Sequence, residues 1–307
     1  MTMQTELTEA LKPKWEKLRF ESGQEAPFYA YDWHKIWFTA LATEWRPYII
    51  YIDRRALAPL ARRGGEVIFS GGREGTDYMD VIGQRNDVVQ LWPDIHKYLQ
   101  GDGAKTLKLI NIPSNSPTVQ YFSSKGGDIK IEDTTPVVNL PGTWEAYQNQ
   151  LSRKNRHELK RKLRKFEREH PEAKVISIDQ SQQQAEILLR LMRLDPEKRI
   201  FLRSEIEQFF RSIILAFTKQ IWFLALSEKN FEIAATMAFT TKNEIMLYNS
   251  GFDESNAPGA GFYLKAKCLA LAVEKAYEKF NFLRGRERYK YELGGVDEPV
   301  YSISYRF

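Results

Sequence analysis

The stretch Asn256–Cys268, NAPGAGFYLKAKC, joins a glycine-rich turn to a helix. Gly259 and Gly261 lack a β-carbon, so the backbone there can adopt positive φ and approach a neighbour closely. From Phe262 onward apolar residues recur at a period of about 3.6 residues, which predicts a helix. The first amides of such a helix have no partner within it and lie at the positive end of its dipole. The stretch therefore predicts an anion site with phosphate as the usual ligand, and a simple turn is the alternative for a single Gly-x-Gly.

Length and composition indicate a globular protein with one large domain or two ordinary ones, since the 307 residues are 43% hydrophobic and 28% charged. The N-terminus carries acids and no apolar segment, so we expect no signal peptide and a cytoplasmic protein. The one cysteine, Cys268, excludes an internal disulfide. The four histidines have no ligand spacing, so we expect no metal site. The oligomeric state is not indicated.

The net charge of +5 comes from one segment. Nine Lys or Arg residues lie between Ser152 and Glu169 against three Glu, and the rest of the chain has 36 basic and 37 acidic residues. Leu159, Leu163 and Phe166 recur at helical spacing within the segment. The pattern predicts an amphipathic helix over 152–169 with a buried apolar seam and a basic outer surface.

The predicted helices and strands divide the chain into two halves, each of which mixes helices with several strands. The first half contains helices at 32–42, 88–99 and 118–124 and strands at 46–53, 56–62, 66–72, 106–112 and 128–140. The second half begins with helices at 143–151 and 152–169, the first with Thr143 as N-cap. It continues with a strand at 174–178, two helices, strands at 221–228, 232–241 and 244–253, the glycine turn, its helix and two final strands. This order predicts an α+β fold.

A polar-x-x-Gly-x-Gly turn after a central strand resembles the GNAT acyltransferase fold. The stretches WEAYQNQLSRKNRHELKRKLRKFE, MLYNSGFDESNAPG, FNFLRGRERYKYELGG and FSGGREGTDYMDVIG resemble segments of the CelD/BcsL-type acetyltransferases, with Asn256, Asn281 and Leu293 departing from the usual residues. That group is related to the Fem aminoacyl-transferases, which have two GNAT-like domains. The resemblance implies two tandem GNAT-like domains with mostly antiparallel sheets flanked by helices: a degenerate one at 1–140 and one with the donor loop at 141–307.

The resemblance also implies a donor site. Acetyl-CoA or another acyl-CoA would be the co-substrate, with its pyrophosphate on the loop that follows the central strands. We expect the donor contacts at Asn256, Gly259, Ala260, Gly261 and Phe262, and at Ala235 and Met237 along the pantetheine arm.

Acyl transfer needs donor positioning, oxyanion stabilisation and two proton transfers. The resemblance implies that Tyr289 protonates the leaving thiolate and that Lys290 stabilises the transferring acyl group. The base is not settled by the sequence: the candidates are Glu287, Asp253, Asp77 and Asp80, and a water chain is equally suitable. Cys268, among apolar residues, is interpreted as a core residue rather than a nucleophile.

The leading hypothesis is an acyl-CoA-dependent N- or O-acyltransferase acting on a sugar, amino sugar or polysaccharide-related acceptor. The basic helix leaves three functional alternatives open besides a solvated face. It could bind an anionic acceptor or the CoA phosphate, the tRNA of a Fem-like aminoacyl donor, or an anionic membrane surface at the inner membrane. The expected anion- and acceptor-binding residues are Lys154, Arg161, Arg164, Arg168, Asp77 and Tyr78. Few aromatic residues accompany the charges, so sequence-specific nucleic-acid reading is not expected. An inactive polyanion-binding module is the remaining alternative.

Overall fold

The computed structural model describes residues 1–52 and 54–307, and the chain separates into two compact units. The first unit comprises residues 1–134 and 298–307, and the second comprises residues 135–297. The sequence prediction placed the boundary at 140 and kept the last ten residues in the second domain. Those residues count with the first unit because they pair with one of its strands, a long-range contact that no local pattern reveals.

Most of the helices and strands predicted from the sequence are present at similar positions. The structure adds elements that the sequence did not predict, namely strands at Thr2–Gln4 and Ile82–Gly83 and helices at Lys12–Glu21, Gly72–Gly75, Pro196–Phe201 and Arg288–Glu292. The first unit contains β1 (Thr2–Gln4), α1 (Lys12–Glu21), α2 (Tyr31–Ala40), β2 (Arg46–Ile52), β3 (Ala56–Arg63), β4 (Glu66–Phe69), α3 (Gly72–Gly75), β5 (Ile82–Gly83), α4 (Arg85–Gly101), β6 (Thr106–Pro113) and α5 (Pro117–Ser124). The predicted end of the strand 46–53, Asp53, lies outside the described residues.

The remaining elements are β7 (Asp128–Asn139), α6 (Trp144–Gln150), α7 (Arg153–Glu169), β8 (Lys174–Ser177), α8 (Ser181–Met192), α9 (Pro196–Phe201), α10 (Ser204–Ala216), β9 (Ile221–Glu228), β10 (Phe231–Thr240), β11 (Glu244–Phe252), α11 (Ala260–Glu274), β12 (Lys279–Asn281), α12 (Arg288–Glu292) and β13 (Val296–Arg306). Strands β7 and β13 each have residues in both units. Thr143 caps α6 as predicted, with its hydroxyl oxygen 3.1 Å from the Ala146 amide nitrogen.

The first unit has a sheet of order β1-β2-β3-β4-β6-β13, in which β4 and β6 are parallel and the other neighbours are antiparallel. Its core includes the fully buried Leu60, Trp92 and Phe122. The second unit has a sheet of order β7-β12-β11-β10-β9-β8, in which β11 and β12 are parallel and the other pairs are antiparallel. The predicted α+β class is confirmed.

Helix α11 provides the crossover that the parallel pair β11 and β12 requires. Its Leu264 and Leu269 are fully buried in a core that also contains Leu159 and Phe166 of α7. The ring of Phe166 stacks on Tyr263 of α11 with 4.5 Å between centroids. The apolar seam predicted for the basic helix therefore packs on the helix that the glycine turn begins.

The parallel pair separates soon after it starts. Only Glu244–Met246 of β11 pair with Lys279–Asn281 of β12, after which β12 ends while β11 continues to Phe252. In the part of the chain that the structure describes, no strand pairs with residues 247–252 on that side. The second unit therefore has an open backbone edge directly before the glycine turn.

Candidate active site

The glycine turn has the geometry that its sequence predicts. Gly259 precedes α11 in the left-handed conformation, with φ of +89° and open space where a β-carbon would lie. The first i−4 hydrogen bond joins the Tyr263 amide to the Gly259 carbonyl oxygen at 2.9 Å. The amides of Gly261 and Phe262 precede this bond, so they are available to an anion. Ala260 is buried, and its amide donates to the Ala257 carbonyl oxygen at 3.0 Å.

Gly261 serves a different purpose from Gly259. A β-carbon at this position would lie 2.5 Å from Cδ1 and 2.6 Å from Cγ of the Phe252 ring. The ring of the last β11 residue thus lies directly against the backbone of α11. Glycine at 261 is required by this packing, in addition to any role in phosphate binding.

Two carboxylates brace the turn. The Asp253 carboxylate accepts hydrogen bonds from the Asn256 amide (3.0 Å) and from Asn256 Nδ2 (2.8 Å). These bonds hold the pKa of Asp253 below its ordinary value, so its contacts support a positioning role rather than that of a base. The Glu254 carboxylate accepts a hydrogen bond from the Gly259 amide at 3.3 Å. The Glu254 side chain therefore occupies the Gly259 amide, which is the first amide of the turn that a phosphate would meet.

A cleft of about 670 Å³ opens beside the turn, between α7, α11 and α12. Gly259, Phe252 and Phe262 contribute to its walls, and Tyr289 closes one side. Five cationic side chains line it, Arg161, Lys162, Lys165, Lys265 and Arg288, and so do four carboxylates, Glu158, Glu169, Glu254 and Glu292. The basic helix and the glycine turn thus line one cleft.

Most of these charged side chains form ion pairs with one another. Glu292 binds both Lys162, at 2.5 Å, and Arg288, at 2.7 Å, while Arg161 pairs with Glu158 at 2.8 Å. The Lys162 ammonium also lies 4.2 Å from the centroid of the Phe262 ring. An incoming polyphosphate would exchange partners with these carboxylates rather than meet free cations.

Lys265 lies at the inner end of the cleft and is 4% exposed. Its ammonium is 4.6 Å from the centroid of the Tyr289 ring, 4.7 Å from that of Phe252, and 3.4 Å from the Gly261 carbonyl oxygen. Burial, together with the nearby Lys198, lowers the pKa of Lys265 to about 7. The sequence analysis did not select this lysine. A single charged residue on the apolar face of a helix, four residues after a glycine, was the signal that could have found it.

The two residues expected to carry the chemistry lie on α12 and differ in exposure to the cleft. Tyr289 lines the cleft, and burial raises its pKa above the ordinary value. Lys290 is 1% exposed and does not line the cleft. Its ammonium lies 2.9, 2.7 and 3.3 Å from the carbonyl oxygens of residues 283, 284 and 285, and 3.0 Å from the Glu287 carboxylate. These contacts support a role for Lys290 and Glu287 in holding the turn before α12.

Several other expected site residues lie outside the cleft. Ala235 and Met237 are buried on β10, which is paired along both edges by β9 and β11, so the strand edge left open for a pantetheine arm belongs to β11. Arg164 and Arg168 lie on the outer face of α7 with His157 and Lys160. Lys154 is exposed near the start of α7 and lines neither surface.

Asp77 and Tyr78 belong to the first unit, after α3. Asp77 is buried, and the Tyr78 ring lies 6.1 Å from that of Phe28. Asp80, another candidate base, is buried and accepts hydrogen bonds from the Thr118 hydroxyl and the Val81 amide, while burial raises its pKa to about 6. Its contacts are those of a structural carboxyl. Acceptor binding by Asp77 and Tyr78 stays a prediction.

Cys268 is buried, with its sulfur 3.2 Å from the Thr236 hydroxyl oxygen. Burial raises its pKa to about 11, which agrees with its interpretation as a core residue. Among residues 1–52 and 54–307, no group of three or more His, Cys, Asp or Glu side chains could hold a metal ion. Nor does this described part of the chain contain a helix long and apolar enough to cross a membrane.

Comparison with known proteins agrees with this architecture. Residues 153–291, which lie within the second unit, match the family model of the acetyltransferase (GNAT) domain. None of the curated proteins compared matches the chain.

Solved structures resemble the chain over nearly its whole length. FemX has a TM-score of 0.67 and 9% identity, covering 100% of this chain and 98% of that one. L-PGS from Bacillus licheniformis has a TM-score of 0.64 and 14% identity, covering 96% and 91%. A conserved protein of unknown function from Bacteroides thetaiotaomicron has a TM-score of 0.69 and 10% identity, covering all of both chains. At these identities the likeness shows the fold alone. The family match supports an activity of the acyltransferase type.

Proposed function

We propose that the second unit is an acyl-CoA-dependent acyltransferase of the CelD/BcsL type, transferring an acyl group to an amine or hydroxyl of a sugar or amino-sugar acceptor. One observation carries this proposal: the open edge at 247–252 of β11 runs directly into the glycine turn that begins α11. An extended pantetheine arm can add to a free strand edge through backbone hydrogen bonds. Its diphosphate would then meet the amides of Gly261 and Phe262 and the positive end of the helix.

The cleft charges support an anionic donor at the same place. Lys162 and Arg288 would exchange Glu292 for a phosphate, and the Glu254 carboxylate would leave the Gly259 amide. A charge-assisted hydrogen bond of this kind contributes about 1.5 kcal/mol or more. The sugar or amino-sugar acceptor rests on the resemblance of the chain to the CelD/BcsL group.

The outer face of α7 favours one alternative donor. Lys160, Arg164 and Arg168 lie together there, away from the glycine turn, and give more positive charge than a CoA diphosphate requires. A row of such charges suits the phosphate backbone of a tRNA. A Fem-like transferase that takes its aminoacyl group from tRNA is therefore the second candidate.

Two matched variants separate the candidates. Lys162→Gln removes a cation that lines the cleft, and Arg164→Gln removes one that lines only the outer face. If the donor is acyl-CoA, Lys162→Gln should weaken CoA binding in calorimetry by about tenfold, equivalent to ~1.4 kcal/mol, and Arg164→Gln should leave it unchanged. The rate of thiol release from acetyl-CoA and longer acyl-CoAs, measured with amino-sugar acceptors, should likewise fall in Lys162→Gln and stay unchanged in Arg164→Gln.

The opposite pattern would favour the aminoacyl-tRNA donor. In that case tRNA should bind in place of CoA, and Arg164→Gln should reduce the salt dependence of binding by about one phosphate contact. Binding of polyanions without thiol release or aminoacyl transfer would indicate an inactive binding module and reject the proposal.

A further inference from the structure

The ammonium of Lys265 is buried at the inner end of the cleft with little polar compensation. Its one hydrogen bond to the described part of the chain is long, 3.4 Å to the Gly261 carbonyl oxygen, and its other close neighbours are the rings of Phe252 and Tyr289. An ammonium has three donors, and burial of unsatisfied donors is costly. The side chain is therefore placed where a substrate group could complete its hydrogen bonds.

The neighbouring lysines are differently arranged. Lys290 directs its ammonium at three backbone carbonyl oxygens and Glu287, and Lys198 of α9 reaches the Ser250 carbonyl oxygen of β11 at 2.5 Å. Both hold backbone segments next to the cleft. Of these three lysines, Lys265 alone lines the cleft itself.

We propose that Lys265 is the catalytic residue that carries the proton during acyl transfer. This rests on the proposed function. Neutral Nζ accepts the proton of the acceptor amine or hydroxyl while its nitrogen or oxygen attacks the thioester carbonyl carbon. The new carbon–nitrogen or carbon–oxygen bond forms, the carbon–sulfur bond breaks, and the Lys265 ammonium gives its proton to the departing thiolate. CoA leaves as a thiol and Lys265 returns to its neutral form.

The electrostatic surroundings support both proton transfers. Burial and the cations Lys198 and Lys290 lower the pKa of Lys265 to about 7, while Cys268 and Glu287 oppose them. A group with a pKa near 7 can accept a proton at neutral pH and release it to a thiolate whose thiol has a pKa of about 8.5. Burial raises the pKa of Tyr289, so its hydroxyl holds the proton more tightly than the departing sulfur would. The Tyr289 ring lies against the Lys265 ammonium, so its role is instead to exclude water from this end of the cleft.

Steady-state kinetics from about pH 6 to about pH 9 test the proposal with Lys265→Met and Lys265→Arg. Both variants should lose about 10²- to 10⁴-fold in kcat, the usual contribution of a general acid or base. In the wild type, kcat/KM should rise with pH through a limb near pH 7, and both variants should lack this limb. Their affinity for CoA in calorimetry should change little. Lys267→Met is the matched control, since Lys267 lies on the same helix but outside the cleft and pairs with Glu167.

The outcomes separate this proposal from the function on which it rests. A wild type that binds acyl-CoA but transfers no acyl group would overturn both. An active wild type with full activity in Lys265→Arg would overturn the proton role alone, because arginine keeps the charge but does not deprotonate. Loss of the pH limb in Tyr289→Phe, with the limb retained in Lys265→Met, would assign the proton to Tyr289. In an NMR titration of the labelled lysine side chains, a Lys265 pKa near the ordinary ~10.4 would also overturn the proposal.

Discussion

Lys265 should make the stability of the protein depend on pH in a way that one substitution removes. The unfolded chain protonates this lysine with a pKa of 10.5, whereas burial lowers the pKa to about 7 in the folded protein. Below pH 7 both states are protonated, so the folded state carries the full cost of a buried ammonium, about 5 kcal/mol at 1.36 kcal/mol per pKa unit. As the pH rises from 7 toward 10.5, the folded protein releases the proton first and its stability increases.

The size of the effect between pH 7 and pH 9 follows from proton counts. At pH 7 the folded lysine is about half protonated, and at pH 9 it is almost wholly neutral, while the unfolded lysine remains protonated through most of this range. The unfolded state therefore binds between one half and one more proton, and the free energy of unfolding should rise by about 2 kcal/mol from this residue.

Denaturant unfolding of the wild type and of Lys265→Met at the two pH values measures this contribution. The stability of the variant relative to the wild type should fall by about 2 kcal/mol from pH 7 to pH 9, because other titrating groups contribute equally to both proteins. Lys267→Met should show no such change. Glu167 raises the pKa of Lys267 in the folded protein, so this lysine titrates above the range from pH 7 to pH 9. A difference that stays constant with pH would refute the reasoning, because it would mean that Lys265 keeps its ordinary pKa.

Two further predictions concern the glycine turn. Glu254→Gln removes the negative charge from the carboxylate that accepts from the Gly259 amide, so CoA should bind about three- to tenfold more tightly in calorimetry; unchanged or weaker affinity would mean that Glu254 does not compete with the donor. Gly261→Ala places a methyl group 2.5 Å from the Phe252 ring and should cost about 2–3 kcal/mol of stability. Gly259→Ala, with open space but positive φ, should cost about 1 kcal/mol, and thermal unfolding that ranks the two equally would contradict the packing role of Gly261.

Local periodicity predicted most of the second unit. The strands at 221–228, 232–241 and 244–253 match β9, β10 and β11 within one residue at each end, since these runs are apolar and bounded by turn residues. The short helices α9 and α12 were missed because five or six residues carry too little periodicity to identify a helix.

The sequence predicted the segments that form the site but not which side chains meet in it. The glycine turn and the basic helix were recognised from composition, and the structure brings both to one cleft. Lys290 illustrates the limit: its place beside Tyr289 in the sequence indicated chemistry, but on α12 the two side chains diverge and Lys290 meets backbone carbonyls. Lys265 reaches the cleft because α11 packs its Gly261 face on Phe252, a contact that only the folded chain defines.

The short pairing of β12 also decides how the second unit could be produced alone. Residues Val137–Asn139 of β7 form the far-side partner of β12, antiparallel to Lys279–Asn281. A fragment begun at residue 141, where the family resemblance places the domain start, would leave the backbone of Phe280 and its neighbours without that partner. A bare strand edge is a template for association with other chains. A fragment covering residues 135–297 retains this pairing, and it is the better choice for recombinant expression and for crystals of the second unit.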